Sequence, residues 1–95
     1  MTAFVIASVE VTDPERYQRY MALTPAAVAA AGGRFLVRGG SPEALEGSLD
    51  RPRIVVLEFP DRAAAKAFYA SAQYQQAREH RLGAAEFTMI VVDGV

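Results

Sequence analysis

The stretch RFLVRGGSPEALEGSLDRPRIVVLEFP, from Arg34 to Pro60, decides the fold of this chain. It predicts two strands, Arg34 to Arg38 and Arg53 to Phe59, because both segments alternate with period 2 and both are bounded by breakers. Glycine and proline punctuate the connection between them, Gly39 to Pro52, which is typical of a loop. We therefore expect a hairpin at the centre of the chain.

A helical pattern and a strand pattern precede this hairpin. Ala3 to Val11 is apolar nearly throughout its first half, which predicts a central strand covered on both faces. Asp13 or Thr12 is expected to cap the helix that follows, whose stripe of large residues recurs at a spacing of 3–4. Pro25 should kink or restart this helix, because proline lacks the backbone donor of a helical rung.

The same two patterns follow the hairpin in reverse order. Pro60-Asp61 opens a second helix, and Ser71 is expected to cap a separate shorter helix that runs toward His80. Glu86 to Val92 alternates like a strand and is the last predicted element.

The resulting order, β-α-β-β-α-β, defines the fold class. With right-handed crossovers it gives a four-stranded antiparallel sheet of spatial order 4-1-3-2 with the helices on one face. This is a ferredoxin-like α+β sandwich, and we expect residues 1–95 to form one such domain.

Composition excludes several classes of function. The formal net charge of the 95 residues is −1 and no basic stripe exists, so we expect no nucleic-acid partner. The absence of cysteine rules out disulfides and thiolate ligands, and the single histidine, His80, has no companion at metal-ligand spacing. We expect no metal, no cofactor and no membrane span, and a cytoplasmic location.

One face of such a sheet has no helices to cover it. The more uniformly apolar sets are expected to face the helices: Val5, Ala7 and Val9; Phe35 and Val37; and Val55, Leu57 and Phe59. The open face would carry three mixed sets: Phe4, Ile6, Ser8 and Glu10; Arg34, Leu36 and Arg38; and Ile54, Val56 and Glu58. Because a large exposed apolar patch normally marks an interface, we expect a homodimer through this face.

Several segments together carry a resemblance that covers essentially the whole chain. They are VTDPERYQRY, GGRFLVRGG, the LEG after it, VVLEFP, the helical AFYAS and QYQQAREHR, and a final strand. In this combination the chain resembles the domain of unknown function 1330 family, within the dimeric α/β-barrel group of ferredoxin-like proteins. The resemblance implies a homodimer whose two sheets enclose a barrel, and it implies no particular reaction.

The most interesting polar group consists of Glu10, Arg34 and Glu58. If strands 1 and 3 are parallel neighbours, Glu10 and Glu58 meet at their carboxyl ends, and Arg34 arrives at the same end from strand 2. Two carboxylates beside one arginine could share a proton in catalysis or bind a polar substrate group. The alternative is a structural ion pair at the rim of the sheet.

A second polar and aromatic group follows strand 3, and its members are candidate ligand-binding residues. It comprises Tyr69, Tyr74, His80 and Arg81, with Arg78 among them. Arg38, beside Gly39-Gly40, could bind a carboxylate. Each has a plain structural alternative: packing for the tyrosines, the helix dipole for His80, and turn geometry around Arg38.

Two functions of different classes therefore remain open. The first is a small-molecule site, in the barrel or in the cleft between helices and sheet, that binds or transforms a small polar or aromatic metabolite without a cofactor. The second is a non-catalytic dimeric binding or stress-associated module, in which the charges only fix the register of the dimer.

Overall fold

The computed structural model describes all 95 residues and contains four strands and three helices. In chain order they are β1 (Ala3–Val11), α1 (Pro14–Ala30), β2 (Arg34–Gly39), β3 (Arg53–Phe59), α2 (Arg62–Ala70), α3 (Ala72–Arg81) and β4 (Ala85–Asp93). The strand limits lie within one residue of those that the alternation predicts. None of the helices combines the length and the apolar character that crossing a membrane requires.

The four strands form one antiparallel sheet in the order β2-β3-β1-β4, with the helices packed against one face. This order is 4-1-3-2 read from the other edge, so the ferredoxin-like α+β fold is confirmed. The expectation that strands 1 and 3 run parallel is wrong, since Val5 of β1 lies opposite Leu57 in an antiparallel ladder. The α1 crossover makes β1 parallel to β2, and β3 returns between them in the opposite direction.

A β-bulge in β2 changes which residues face the helices. Phe35 lies opposite Leu57, but the next ladder partner of Val56 is Val37, so Leu36 is an extra residue. One extra residue inverts the alternation of everything beyond it. The predicted placement of Val37 on the helical face and of Arg38 on the open face is therefore wrong. In the structure Val37 lies on the open face and Arg38 on the helical face.

Arg38 now reaches α1, where Pro25 leaves a gap in the helical hydrogen bonds. Because proline has no N–H, the carbonyl of Met21 lacks its usual donor. The Arg38 Nη2 donates to that carbonyl and, at 3.3 Å, to the Thr24 hydroxyl. The helix runs through Pro25 and does not restart there, with Arg38 substituting for the missing donor.

Local caps position the second and third helices against the sheet. The Asp61 carboxylate accepts from the Ala64 N–H at 2.7 Å, which begins α2. Ser71 then ends one helix and begins the next: its hydroxyl donates to the Phe68 carbonyl at 2.7 Å and accepts from the Tyr74 N–H at 3.1 Å. This break, which the sequence predicts, lets α3 pack against α1.

The core lies between the helices and the sheet. It is rich in aromatic rings, with Phe68 tilted against Phe59 at 5.1 Å and against Tyr74 at 4.7 Å between ring centroids. Phe68, Phe59 and Tyr74 are fully buried. Of these three rings, Phe68 also lines the site described next.

Candidate functional site

A groove of about 600 Å³ runs between β4 and the helices α2 and α3. Of its 12 lining residues 9 are hydrophobic, and the other three are Lys66, Arg78 and Arg81. A volume of this size, with apolar walls and a few polar groups, is what small-molecule sites in proteins have. The groove is therefore a candidate site for a metabolite.

Helical periodicity brings arginine to the groove. Tyr74, Ala77 and Arg81 share the buried face of α3, at a spacing of three and four residues. The Arg81 guanidinium carbon lies 3.8 Å from the centroid of the Phe87 ring, a stacked cation–π arrangement. Its Nη2 also donates a long hydrogen bond of 3.5 Å to the Tyr74 hydroxyl. The guanidinium is thus held by a ring and one phenol.

No carboxylate compensates these cations. Arg81 is only 7% exposed, and the Nε atoms of both Arg78 and Arg81 are buried without a hydrogen-bond partner. The ion pairs of the chain involve other arginines: Arg19, Arg34 and Arg62. A desolvated, unpaired guanidinium is costly, so this arrangement resembles a binding site more than a structural strut.

A second, much smaller cavity of about 30 Å³ lies between α1 and the sheet. Tyr17, Arg38 and Arg53 are among its lining residues. Its volume admits roughly one water molecule, too little for a metabolite. Phe68, Phe87 and Met89 line both spaces, so they separate the cavity from the groove.

Two buried tyrosines lie beside the residues that separate the cavity from the groove. The Tyr20 and Tyr74 hydroxyls are 2.9 Å apart and hydrogen-bonded. Burial raises the pKa of Tyr20, and the neighbouring Tyr74 raises it further. Burial also raises the pKa of Tyr17, partly offset by the positive charge of Arg53. The Tyr17 and Tyr20 phenols therefore stay protonated well into the alkaline range.

This protonation predicts an alkaline loss of stability. A tyrosine whose folded-state pKa exceeds its unfolded value contributes stability that is complete below the unfolded pKa, near 10, and is lost as pH rises above it. The melting temperature should therefore fall between about pH 10 and pH 11. Tyr20→Phe should make the fall shallower, whereas Tyr69→Phe, at an exposed tyrosine, should not. An equal fall in both variants would contradict this cause.

The structure brings together two of the three residues in the first predicted group. Arg34 and Glu58 are ladder partners, and the Arg34 Nε donates to a Glu58 carboxylate oxygen at 2.7 Å. Glu10 lies at the opposite end of β1, exposed and facing Glu86 of β4. The predicted triple cluster is wrong because β1 and β3 are antiparallel, which separates their carboxyl ends.

The residues of the second predicted group are dispersed. Tyr69 and Arg81 line the groove, whereas Tyr74 is buried behind it. His80 lies in the last turn of α3 and lines neither space. Arg38 contacts α1 and borders only the small cavity.

Sequence reasoning missed Lys66 and Arg53. Arg53 shares the alternation of Val55 and Leu57, so period 2 alone places it on the helical face. Lys66 sits one residue after buried Ala65 on α2, and no pattern distinguishes it from a solvated lysine. For Arg53, the detectable signal was a basic residue at a position that the period-2 alternation places on the buried face of the sheet.

The Arg34–Glu58 pair allows a direct test of its role. The two side chains are 70% and 27% exposed, and pairs of this kind contribute at most about 1 kcal/mol. Glu58→Gln and Arg34→Gln should each lower the free energy of unfolding by less than ~1 kcal/mol and leave ligand binding in the groove unchanged. Urea denaturation and a binding titration on the same samples measure both quantities. Loss of binding in Glu58→Gln would indicate that the ligand site lies on the sheet beside this pair and not in the groove.

The sheet order and the single layer of helices define the class: a ferredoxin-like α+β protein. The model of the family described as domain of unknown function (DUF1330) matches residues 2–95, and the chain belongs to that family. No curated protein matches this chain.

Solved structures share the fold at low sequence identity. A protein of unknown function from Rhodopseudomonas palustris is 19% identical with a TM-score of 0.78, over 99% of this chain and 82% of that one. A dimeric ferredoxin-like protein of unknown function from Jannaschia sp. CCS1 is 15% identical with a TM-score of 0.74, over 99% and 100%. SnoaB, a cofactor-independent oxygenase from Streptomyces nogalater, is 16% identical with a TM-score of 0.62, over 99% and 92%. Identities this low establish the fold alone.

Proposed function

We propose that this protein is a homodimer, joined through its open sheet face, that binds a small and largely apolar metabolite in the groove between α2, α3 and β4. The groove carries the proposal, because it alone combines a metabolite-sized volume with apolar walls and a few cations.

The open sheet face supports the dimer. Leu36, Val37 and Ile90 are exposed there, and Phe4 and Val56 are half-buried between them. An apolar patch of this kind on a soluble domain normally marks an interface. A second copy of the same face covers it most economically, since a twofold axis makes the patch its own complement. The dimeric relative from Jannaschia has the same fold.

Binding fits the groove better than acid–base catalysis does. No aspartate, glutamate or histidine lines it. The carboxylate–arginine pair that could perform such chemistry, Glu58 with Arg34, lies at the end of the sheet and outside the groove. A role in transforming the ligand would fall to Lys66 or Tyr69 as proton carriers.

A neutral bicyclic probe tests the groove. Backbone amide shifts followed during titration with 2-naphthamide should change saturably in α2, α3 and β4. Ala70→Trp places a large ring at the groove lining and should weaken binding about tenfold or more, because it fills the space of the probe. Ala29→Trp makes the same change on an exposed residue of α1 and should not.

Two results would contradict the proposal. One is the absence of any saturable shift at millimolar probe. The other is a set of shifts confined to the open sheet face, which would place the ligand between the subunits.

A further inference from the structure

Arg78 and Arg81 of α3 are the feature of the groove that apolar binding does not explain. A site for a neutral hydrocarbon gains nothing from two guanidinium groups in its wall. Their burial is a cost to the folded protein, because each Nε has left water without finding an acceptor. Buried arginines with a purely structural role are usually compensated by a carboxylate nearby.

No such carboxylate exists. The groove lining contains neither aspartate nor glutamate, and neither arginine takes part in an ion pair. Lys66 adds a third cation to the same lining. The charge of the groove is therefore positive and uncompensated, although the formal charge of the whole chain is −1. An anion entering the groove would supply the counter-charge that the lining lacks.

The contacts of Arg81 prepare it for that role. Stacking on Phe87 holds the planar guanidinium, with its carbon 3.8 Å from the ring centroid. The protein uses only one of its N–H groups, in the 3.5 Å bond to Tyr74. Because the Nε is buried, the donors that remain for a ligand are on the Nη groups. A guanidinium that is fixed in orientation suits a planar oxyanion, because its two parallel Nη N–H groups match a carboxylate.

We propose that the groove is specific for aromatic anions, with the anionic oxygens bound by Arg78 and Arg81 and the rings packed against the wall formed by Phe68, Phe87 and Met89. This inference rests on the proposed function and narrows it to a ligand class: planar aromatic carboxylates. Arg81 supplies the oriented donors, and Arg78 with Lys66 supplies the surrounding positive potential.

The test compares two probes of equal shape. Calorimetry at neutral pH should give a dissociation constant for 2-naphthoate at least about tenfold lower than for 2-naphthamide, the ratio that one charge-assisted hydrogen bond supplies. Arg81→Met and Arg78→Met should each reduce this preference, and the double variant should abolish it. Arg19→Met, which removes the same charge from an exposed site on α1, should preserve it.

The outcomes separate this inference from the proposed function. Equal affinity for both probes would overturn anion specificity while the groove remained a binding site. Binding of neither probe would overturn both. A preference that survives in the double variant would place the anion elsewhere and also overturn the inference. If Arg81→Met fails to fold, Arg78→Met alone decides, because Arg78 is less deeply buried.

Discussion

Val56→Asp should convert the dimer into monomers. Val56 lies at the middle of the open sheet face, opposite Ile6 on one side and Val37 on the other. In the proposed interface, the new carboxylate would be buried without a partner, at a cost of several kcal/mol per subunit. Analytical ultracentrifugation at micromolar concentration should show a dimer for the wild type and a monomer for the variant.

A matched variant separates this effect from a general effect of added charge. Leu23→Asp places the same carboxylate on an exposed apolar residue of α1, away from the sheet, and should remain dimeric. If Val56→Asp also sediments as a dimer with an unchanged melting temperature, the open face is not the interface.

Phe68→Ala should cause the largest loss of stability among single changes in the site. Phe68 is 1% exposed and packs between Phe59 and Tyr74, so its removal leaves a cavity in the aromatic core. Truncation of a buried phenylalanine costs about 3–5 kcal/mol. We expect the melting temperature to fall by about 12 °C or more in a domain of this length. Differential scanning calorimetry measures it.

The neighbouring Tyr69 provides the control. It is exposed and lines the groove without belonging to the buried core. Tyr69→Ala should therefore weaken binding of 2-naphthamide but lower the melting temperature far less than Phe68→Ala does. Equal losses of stability in the two variants would show that Phe68 does not anchor the core.

The order and limits of the elements could be predicted because they depend on local chemistry. Asp61 and Ser71 cap helices by hydrogen bonds to residues three positions away. The alternation of β1 depends only on period 2, and its buried set matches the predicted one. Such interactions join residues only a few positions apart, so a short window of the sequence is enough to predict them.

The bulge at Leu36 could not be predicted in this way. Nothing in RFLVRG marks an extra residue, since the bulge exists only relative to the partner strand. Its consequence is large: Arg38 moves from the open face to the helical layer, where it compensates for Pro25. Pairing across strands decides such positions, and the pairing is a property of the folded chain.

The candidate site was predictable in part. Arg81 and Tyr69 were recognised as binding candidates from their polar and aromatic character, and both line the groove. The cluster of Glu10 with Glu58 failed because it depended on strand direction, which the antiparallel ladder of β1 and β3 fixes. The cations of the groove become notable only when the lack of a neighbouring carboxylate is visible in three dimensions.

A crystal structure of the protein grown with 2-naphthoate tests the central claim most directly. We predict electron density for the rings between α3 and β4, with the carboxylate within hydrogen-bonding distance of Arg78 and Arg81. Density for the probe between two sheets, beside Arg34 and Glu58, with none in the groove, would contradict it.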